Sequence, residues 1–388
     1  MKANFNFFTM LFLGALFFTS CEEDNFSKEG EGKVDTSAET MQKVSSYFGS
    51  IESLSINNGT NCTNNILMFP SWDVYWQTVD QLDDMIDTYC DAFDATVPSG
   101  ISDDQYDALA DAAGFDEDDK LVQFESDLEF CSLRANIAAL EEIWLSQQGD
   151  GLWDPTTDPD NHFIDDETER ALLSVNAEVL IGDKSNFVYY KFLDDNGNYI
   201  EVHNNDQQAM AQVSSGNVPS GNPNVVVVEE QRIDPPSGCK YKVKEVDYHY
   251  DDANGKRLKQ ISKIRREFGN VYGTSVISKS RIKVKTKGYK RKNGEWKNRR
   301  TWITAGIDGA TVGSDGIGYN ACQAIIDPIK KIKEKRRRRV KAKMTIEPFD
   351  GTLPDLQYLS VKDNKLYSLH KQGQILIINK DFYDMPID

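Results

Sequence analysis

The chain divides into two stretches of opposite charge, and this division constrains the fold more than any other feature. Residues 1–238 hold 10 Lys and Arg against 45 Asp and Glu, whereas residues 239–388 hold 34 against 17. The formal charge is therefore −35 before the division and +17 after it. The sign changes beside the turn-rich segments SSGNVPSGNPN and DPPSGC, which predicts a domain boundary near residue 236 and two parts that attract each other.

The acidic stretch begins with helical periodicity. Ser71 is a predicted N-cap, and Ser102 with Gln105 forms a capping-box pattern for a second helix that ends before Gly114. The first helix is predicted from apolar residues at steps of three and four: Tyr75, Val79, Leu82, Ile86, Tyr89 and Phe93. A third helix is predicted from about Glu117 to Gln147. The acidic residues mostly avoid the apolar stripes, so we expect them on a solvated face.

Residues 150–205 predict short strands joined by turns, with a hairpin signal at Asn196-Gly197. The segment GLWDPTTDPDNHFIDDE has some carboxylates of a calcium loop, but Pro159 replaces the loop glycine and Asp165 replaces the bidentate Glu. We therefore predict no metal site there. The acidic helical region with its small β segment is assigned to residues 37–205, and residues 206–236 to a linker, in which VVVV is an alternative edge strand.

The basic stretch carries strand signals. Asn254-Gly255 and Asn293-Gly294 mark two-residue turns, and LQYLSVKDNKLYSLHKQGQILIINKD alternates as a β-meander does. In KKIKEKRRRRVKAK, the alternation from Arg338 onward predicts a strand, while Asp327-Pro328 before it suggests the start of a short helix. The predicted fold class is α+β, with an antiparallel, all-β sheet or sandwich in residues 237–388.

The segment SRIKVKTKGYKRKNGEWKNRRTWITAG can be folded on paper about Asn293-Gly294. Residue 284 then pairs with 303, and 282 with 305. One face is apolar and suits a core: Ile282, Val284, Thr286, Thr301, Ile303 and Ala305. The other face is basic and aromatic: Arg281, Lys283, Lys285, Lys287, Tyr289, Arg291, Trp296, Arg300 and Trp302. In this register Arg291 lies opposite Trp296 and Lys285 opposite Trp302, so each indole is predicted to hold a cation.

Three interpretations of the basic aromatic face remain open. Lys and Arg keep a β edge soluble while their stems cover Trp. Flat aromatic rings and clustered cations also suit glycans, sulfated glycans or lipopolysaccharide. Nucleic acid uses the same combination, but the N-terminus of the chain has the pattern of an export signal, which makes that partner the least expected of the three.

The N-terminus MKANFNFFTMLFLGALFFTSCEED has the order of a secretory signal peptide: a cation, an apolar run over 7–18 and then small residues. The run is too short to span a bilayer. Residues 18–21 resemble a bacterial lipobox, which implies a signal peptide over 1–20 and a lipidated Cys21. The alternative is an ordinary secreted protein with a Cys near its cleavage site. Residues 21–36 are then a flexible tether.

The acidic residues after Cys21 resemble the surface-export signal of Bacteroidota lipoproteins. The order of ALLSVNAEVLIGD and VYYKF also resembles uncharacterised lipoproteins of that phylum. The resemblance implies an outward-facing outer-membrane location and a membrane partner through the lipid. It brings no known activity.

No catalytic or cofactor motif is present. The histidines are far apart and none has a zinc spacing: His162, His203, His249 and His370. No cofactor is predicted, and the residues carry no signal for an oligomeric state. We expect an exported binding or structural protein, with a glycan-active hydrolase that uses paired carboxylates as the alternative.

The other cysteines enter an oxidising compartment after export. The first expected disulfide joins Cys239 and Cys322, the two cysteines of the basic stretch. The next choice joins Cys90 and Cys131, which leaves Cys62 unpaired.

Overall fold

Seven of the described strands form one sheet in chain order: β1 (Met41–Val44), β2 (Ile51–Ser55), β3 (Asn65–Phe69), β4 (Glu178–Asp183), β5 (Asn186–Phe192), β6 (Tyr199–Val202) and β7 (Val225–Val228). The computed structural model describes residues 41–44, 51–55, 65–194, 197–228, 244–271, 274–313, 325–346, 366–373 and 375–379. Neighbouring strands are antiparallel except β3 and β4, which are parallel and separated in sequence by a helical region. The predicted signal peptide, tether, Cys21, Cys62, Cys239 and Cys322 lie outside the described residues.

The helices between β3 and β4 confirm the predicted cap signals. The Ser71 hydroxyl accepts the backbone N–H of Val74 at 3.3 Å and begins α1 (Trp72–Asp94). Both hydrogen bonds of the capping box form at the start of α2 (Asp103–Ala113), which ends at Gly114 with φ of 64°. The helix predicted from Glu117 to Gln147 is instead two helices, α3 (Asp119–Asp127) and α4 (Leu133–Ser146), followed later by the short α5 (Glu167–Arg170).

Ser132 explains the break between α3 and α4. Its hydroxyl accepts the backbone N–H of Ala135 at 3.0 Å, so it caps a new helix, and its backbone forms a β-bridge with Ser174. Glu129 has φ of 48°, which no helix interior allows. The break turns the side chains of Leu128 and Phe130 into the core.

Both faces of the seven-stranded sheet are apolar. Leu67, Phe69 and Val179 pack on the side of α1, α3 and α4. Leu54, Met68 and Leu180 pack on the other side with a further helix, α6 (Gln207–Ser214). Both α6 and β7 lie within the segment predicted as a linker, and β7 is the VVVV edge strand given there as the alternative.

The basic stretch forms two antiparallel sheets. In the first, β10 (Thr274–Lys292) pairs along one edge with β9 (Lys256–Val271), which pairs with β8 (Lys244–Asp251). The other edge of β10 pairs with β11 (Glu295–Asn298) and then with β14 (Arg339–Ile346). The second sheet has the order β13 (Ile325–Arg337), β12 (Thr301–Gly313), β15 (Leu366–Gln372) and β16 (Ile375–Asn379). The predicted α+β class with an antiparallel β-rich C-terminal part is confirmed.

The two sheets of the basic stretch pack face to face around the predicted core residues, each at most 1% exposed: Ile282, Val284, Thr286, Thr301, Ile303 and Ala305. The Thr286 hydroxyl donates to the backbone oxygen of Thr304 at 2.8 Å across the interface. A Cβ at Gly288 would lie 2.6 Å from a methyl carbon of Thr301, so only glycine allows the sheets this close.

The predicted register holds only near the turn. Arg291 pairs with Trp296 as expected, but the pairing of β10 with β11 ends at Asn298. Val284 then pairs with Ala342 of β14 rather than with Ile303, because β12 has crossed to the second sheet. The short helix predicted at Asp327-Pro328 is also wrong, since these residues belong to β13.

The described residues all belong to one compact unit, which spans Glu39–Asp388. No helix in the described ranges is long and apolar enough to cross a membrane.

Candidate functional site

The basic aromatic face predicted from the sequence lies inside the molecule. Six of its members are at most 8% exposed: Lys283, Lys285, Lys287, Tyr289, Trp296 and Arg300. Arg291 and Trp302 remain exposed. Arg281 is on β10 but its side chain is outside the described set. The expected solvent-facing surface is therefore an internal interface, and the acidic stretch covers it.

The covering carboxylates come largely from the segment GLWDPTTDPDNHFIDDE. Lys259 Nζ lies 2.8 Å from Asp158 Oδ2 and 3.0 Å from Asp160 Oδ2. Lys283 Nζ lies 2.9 Å from Asp165 Oδ2. All five side chains are at most 10% exposed. We call this buried boundary the charge seam; its further members are Glu141, Asp166, Glu167, Arg170, Lys263, Lys285, Lys287, Arg339 and Lys341.

A second row of pairs extends the charge seam along α1. Its aspartates recur at steps of three and four, and they face cations that alternate along β13 and β14. Lys343 pairs with Asp80 at 2.7 Å, and Lys333 pairs with Asp87 at 2.7 Å. The remaining pairs are Lys341 with Asp83, Lys335 with Asp91, and Arg337 with Asp91 and Asp94. The acidic face of α1 was predicted to be solvated, and Asp87 and Asp91 do remain exposed although both are paired, whereas the side chain of Asp83 is only 12% exposed.

Both indoles hold a cation, but neither cation is the one predicted from the sequence. The guanidinium over Trp296 belongs to Arg257, at 4.3 Å from the ring centroid. Trp302 holds Arg336 at 5.1 Å, and Lys285 does not reach it because β12 runs in the other sheet. Trp296 instead joins an aromatic cluster that links the acidic and basic stretches: Trp144, Trp153, Tyr248, Tyr289 and Trp296.

The cations of the charge seam keep the carboxylates of Asp160 and Glu167 ionised. Burial raises the pKa of Asp160, but Lys259, Lys285 and Lys287 outweigh this effect and hold it well below its ordinary value. Glu167 is buried too, yet Lys285 and Arg339 bring its pKa down to about 2. Burial lowers the pKa of Lys285, as expected for an ammonium group removed from water.

A cavity of about 340 Å³ opens on the charge seam between α4 and β11. One face of α4 forms a wall through Ile137, Ala138, Glu141, Glu142, Leu145 and Ser146. All four residues of β11 line the cavity as well. The rest of the lining is charged: Asp118, Arg134, Asp160, Glu167, Arg170, Lys287, Arg338 and Arg339. We call this space the α4–β11 cavity.

The α4–β11 cavity combines an apolar side with many hydrogen-bonding groups. Ile137, Leu145 and Trp296 provide hydrocarbon surface. The paired carboxylates and cations still have free acceptor and donor positions, because a carboxylate offers about four acceptor sites and a guanidinium five N–H donors. Asp118, like Asp160 and Glu167, has a pKa below its ordinary value: Arg339 and Arg338 outweigh the effect of burial.

A second cavity of about 260 Å³ lies between α1 and β14 and is lined in part by Cys90. Cys90 is a free, buried thiol, so the alternative Cys90–Cys131 disulfide is wrong. Burial raises its pKa to about 12, which keeps it protonated and unreactive at neutral pH. In the ranges that the structure describes, no group of His, Cys, Asp or Glu has the arrangement of a metal site.

Sequence reasoning found the β10 cations of the charge seam, Lys283, Lys285 and Lys287, but neither the other cations nor the carboxylate partners. Asp160 and Lys287 are 127 residues apart, and no local pattern connects them. The opposite charge of the two stretches was the feature of the sequence that indicated contact between them. The α4–β11 cavity had no signal of its own in the sequence, since its walls come from segments that are far apart in the chain.

Comparison with known proteins gives little further information. No family model matches the chain. No curated protein matches it either. One solved structure with some likeness is that of a DUF4848 family protein from Bacteroides thetaiotaomicron, with 10% sequence identity, a TM-score of 0.18, and coverage of 84% of this chain and 96% of that one. The function is therefore inferred from the charge seam and the α4–β11 cavity.

Proposed function

We propose that this is an exported, lipid-anchored protein of the cell envelope that binds a small glycan fragment in the α4–β11 cavity. The leader and the lipobox at Cys21 support the location. The observation that carries the binding role is the cavity of about 340 Å³, within the range of about 300–1,000 Å³ that holds small ligands. The ligand site is thus moved from the basic face, where the sequence placed it, to the edge of the charge seam.

The lining of the cavity suits a sugar. A sugar ring has an apolar C–H surface and hydroxyl groups that both donate and accept hydrogen bonds. The α4–β11 cavity offers hydrocarbon from Ile137, Leu145 and Trp296 together with carboxylate acceptors and cationic donors. Clustered free cations, which a lipopolysaccharide needs, are not offered by the basic face, because the acidic stretch covers most of it.

The protonation states of three lining carboxylates give no support to glycan hydrolysis. A glycosidase needs one carboxylic acid whose pKa is raised so that it donates a proton to the leaving group. In the α4–β11 cavity the pKa values of Asp118, Asp160 and Glu167 are lowered by their cationic partners. Those three groups stay ionised at neutral pH and are unsuited to act as general acids.

The charge seam holds the cavity in shape. Lys287 of β10 contacts both oxygens of Glu141 of α4, at 2.7 and 2.8 Å, so the two walls are fixed to each other. A preformed cavity binds with a smaller loss of conformational freedom than a flexible one.

The test uses Ala138 and Ala139, neighbouring exposed residues of α4 of which only Ala138 lines the cavity. Ala138→Trp should fill the mouth of the cavity, whereas Ala139→Trp adds the same side chain outside it. Full-length protein in detergent is tested by saturation-transfer NMR against glucose, galactose, mannose, N-acetylglucosamine and lactose. We expect at least one sugar to bind the wild type and the Ala139→Trp variant but not the Ala138→Trp variant.

Two results would contradict the proposal. If no sugar gives a signal that Ala138→Trp abolishes, the cavity is not a glycan site. If the lactose sample, or other oligosaccharides incubated with the protein, develop new reducing ends that Ala138→Trp prevents, the hydrolase alternative is correct instead.

A further inference from the structure

The cations that line the α4–β11 cavity are all occupied. Lys287 lies 2.7 Å from Glu141, and Arg170 lies 2.6 Å from Asp160. The other pairs are Arg338 with Asp118 at 3.0 Å, Lys297 with Glu295 at 3.1 Å, Arg339 with Asp118, and Arg134 with Glu125. An anionic ligand would bring a second negative charge against the carboxylate that already holds each cation.

Glu142 differs from the other charged residues of the lining. It is exposed on α4, beside the buried Glu141, and it has no ion-pair partner among the described residues. The unpaired charge of the lining is therefore negative. The whole chain has a formal charge of −18, so its long-range field also opposes the approach of an anion.

A neutral sugar meets neither obstacle. Its hydroxyls accept hydrogen bonds from paired guanidinium and ammonium groups, and they donate to paired carboxylates, without displacing any ion. Separating a buried pair leaves an uncompensated charge, which is strongly unfavourable. The same lining therefore admits hydroxyl groups and resists carboxylate or sulfate groups.

We infer that the α4–β11 cavity selects uncharged sugars and rejects uronic acids and sulfated sugars. This inference rests on the proposed glycan binding and names the class of glycan. It narrows the expectation drawn from the basic face, which covered neutral glycans as well as sulfated glycans and lipopolysaccharide. Glu142 is the specificity-determining residue at the mouth of the cavity. The ion pairs behind it add to the rejection of carboxylate and sulfate groups.

The experiment compares sugars that differ only in one carboxylate. Glucose is paired with glucuronate and galactose with galacturonate, and binding is measured by titration at low and at physiological salt. We expect the neutral member to bind more tightly by about tenfold or more, since uncompensated like-charge contacts are costly. Glu142→Lys should reduce this preference by admitting the uronate. Asp111→Lys makes the same charge change at an exposed position of α2 outside the cavity and should leave the preference unchanged.

The outcomes separate the two proposals. Equal or tighter binding of the uronates, still abolished by Ala138→Trp, would overturn the selectivity and leave the glycan site standing. Glu142→Lys and Asp111→Lys could also reduce the preference for neutral sugars equally. That result would show that the net charge of the protein sets the preference and that Glu142 has no specific role in it. Absence of any binding sensitive to Ala138→Trp would overturn both proposals together.

Discussion

Lys287 Nζ lies 2.7 Å from Glu141 Oε1, although 146 residues separate the two in the chain. Lys287 belongs to the basic stretch and Glu141 to the acidic stretch, and both are buried. The contact therefore joins the oppositely charged parts, and it also forms part of the α4–β11 cavity. Its energetics can be tested directly.

Lys287→Met should destabilise the protein by about 3–5 kcal/mol, because Glu141 and Asp160 would keep buried charges without this partner. The double variant Lys287→Met/Glu141→Leu should recover part of the loss. Lys330→Met is the matched control, since the pair of Lys330 with Asp308 is exposed and worth about 0–1 kcal/mol. Denaturant unfolding measures all four proteins. Equal losses for Lys287→Met and Lys330→Met would contradict a buried role for the pair.

His370 should make stability fall as the pH drops from about 6.5 towards 3. It lies between the sheets of the basic stretch, with Nδ1 at 2.7 Å from the Thr286 hydroxyl and Nε2 at 3.2 Å from the Ser262 hydroxyl. Burial, with a smaller effect of His249, lowers its pKa to about 3. The unfolded chain binds a proton near pH 6.5 and the folded chain does not, so protonation favours unfolding between these values.

The measurement is the free energy of unfolding between pH 7 and 5. His370→Gln should remove a slope of at most about 1.4 kcal/mol per pH unit, whatever its effect at pH 7. His203→Gln, at a more exposed position, is the control. If the slope of His370→Gln matches that of the wild type, the buried imidazole is not the group that titrates.

Cys21 should carry the lipid that anchors the protein. Wild-type protein from a bacterial membrane fraction should enter the detergent phase on Triton X-114 separation, and Cys21→Ala should move to the aqueous phase. Mass spectrometry of the N-terminal peptide identifies the acyl chains. Recovery of the wild type as soluble periplasmic protein would show that the leader is an ordinary secretory signal.

The bridge between Cys239 and Cys322 stays a prediction. Non-reducing peptide mapping of the exported protein should recover these two peptides linked. The peptide of Cys90 should be recovered as a free thiol that alkylates only after unfolding, because the native thiol is buried. Free thiols at both 239 and 322 would refute the bridge.

Local signals in the sequence predicted local structure well. The caps at Ser71 and Ser102 depend on bonds to residues three positions away, and both form. The turn at Asn293-Gly294 is also local, and the register beside it is right. The predicted register fails after four residue pairs, because β10 then pairs with β14, which lies some 50 residues further along the chain.

The charge seam could not be predicted from the alternation of lysines along β10. A lysine at every second position gives the same alternation whether the outward side chains meet water or a layer of carboxylates. Lys285 illustrates this, because its side chain is 1% exposed and its ammonium group lies 3.0 Å from a carboxylate oxygen of Glu167. Only the total charges of the two stretches indicated that the second arrangement was available.

The charge seam also restricts how this sequence can change over evolutionary time. A substitution that removes Asp160 leaves Lys259, Lys287 and Arg170 each short of a partner, so it is tolerated only if distant positions change with it. Related chains should therefore exchange charges across the boundary in correlated sets and keep the local sum near zero. The residue at any one of these positions should vary more among related chains than the summed charge of all of them does.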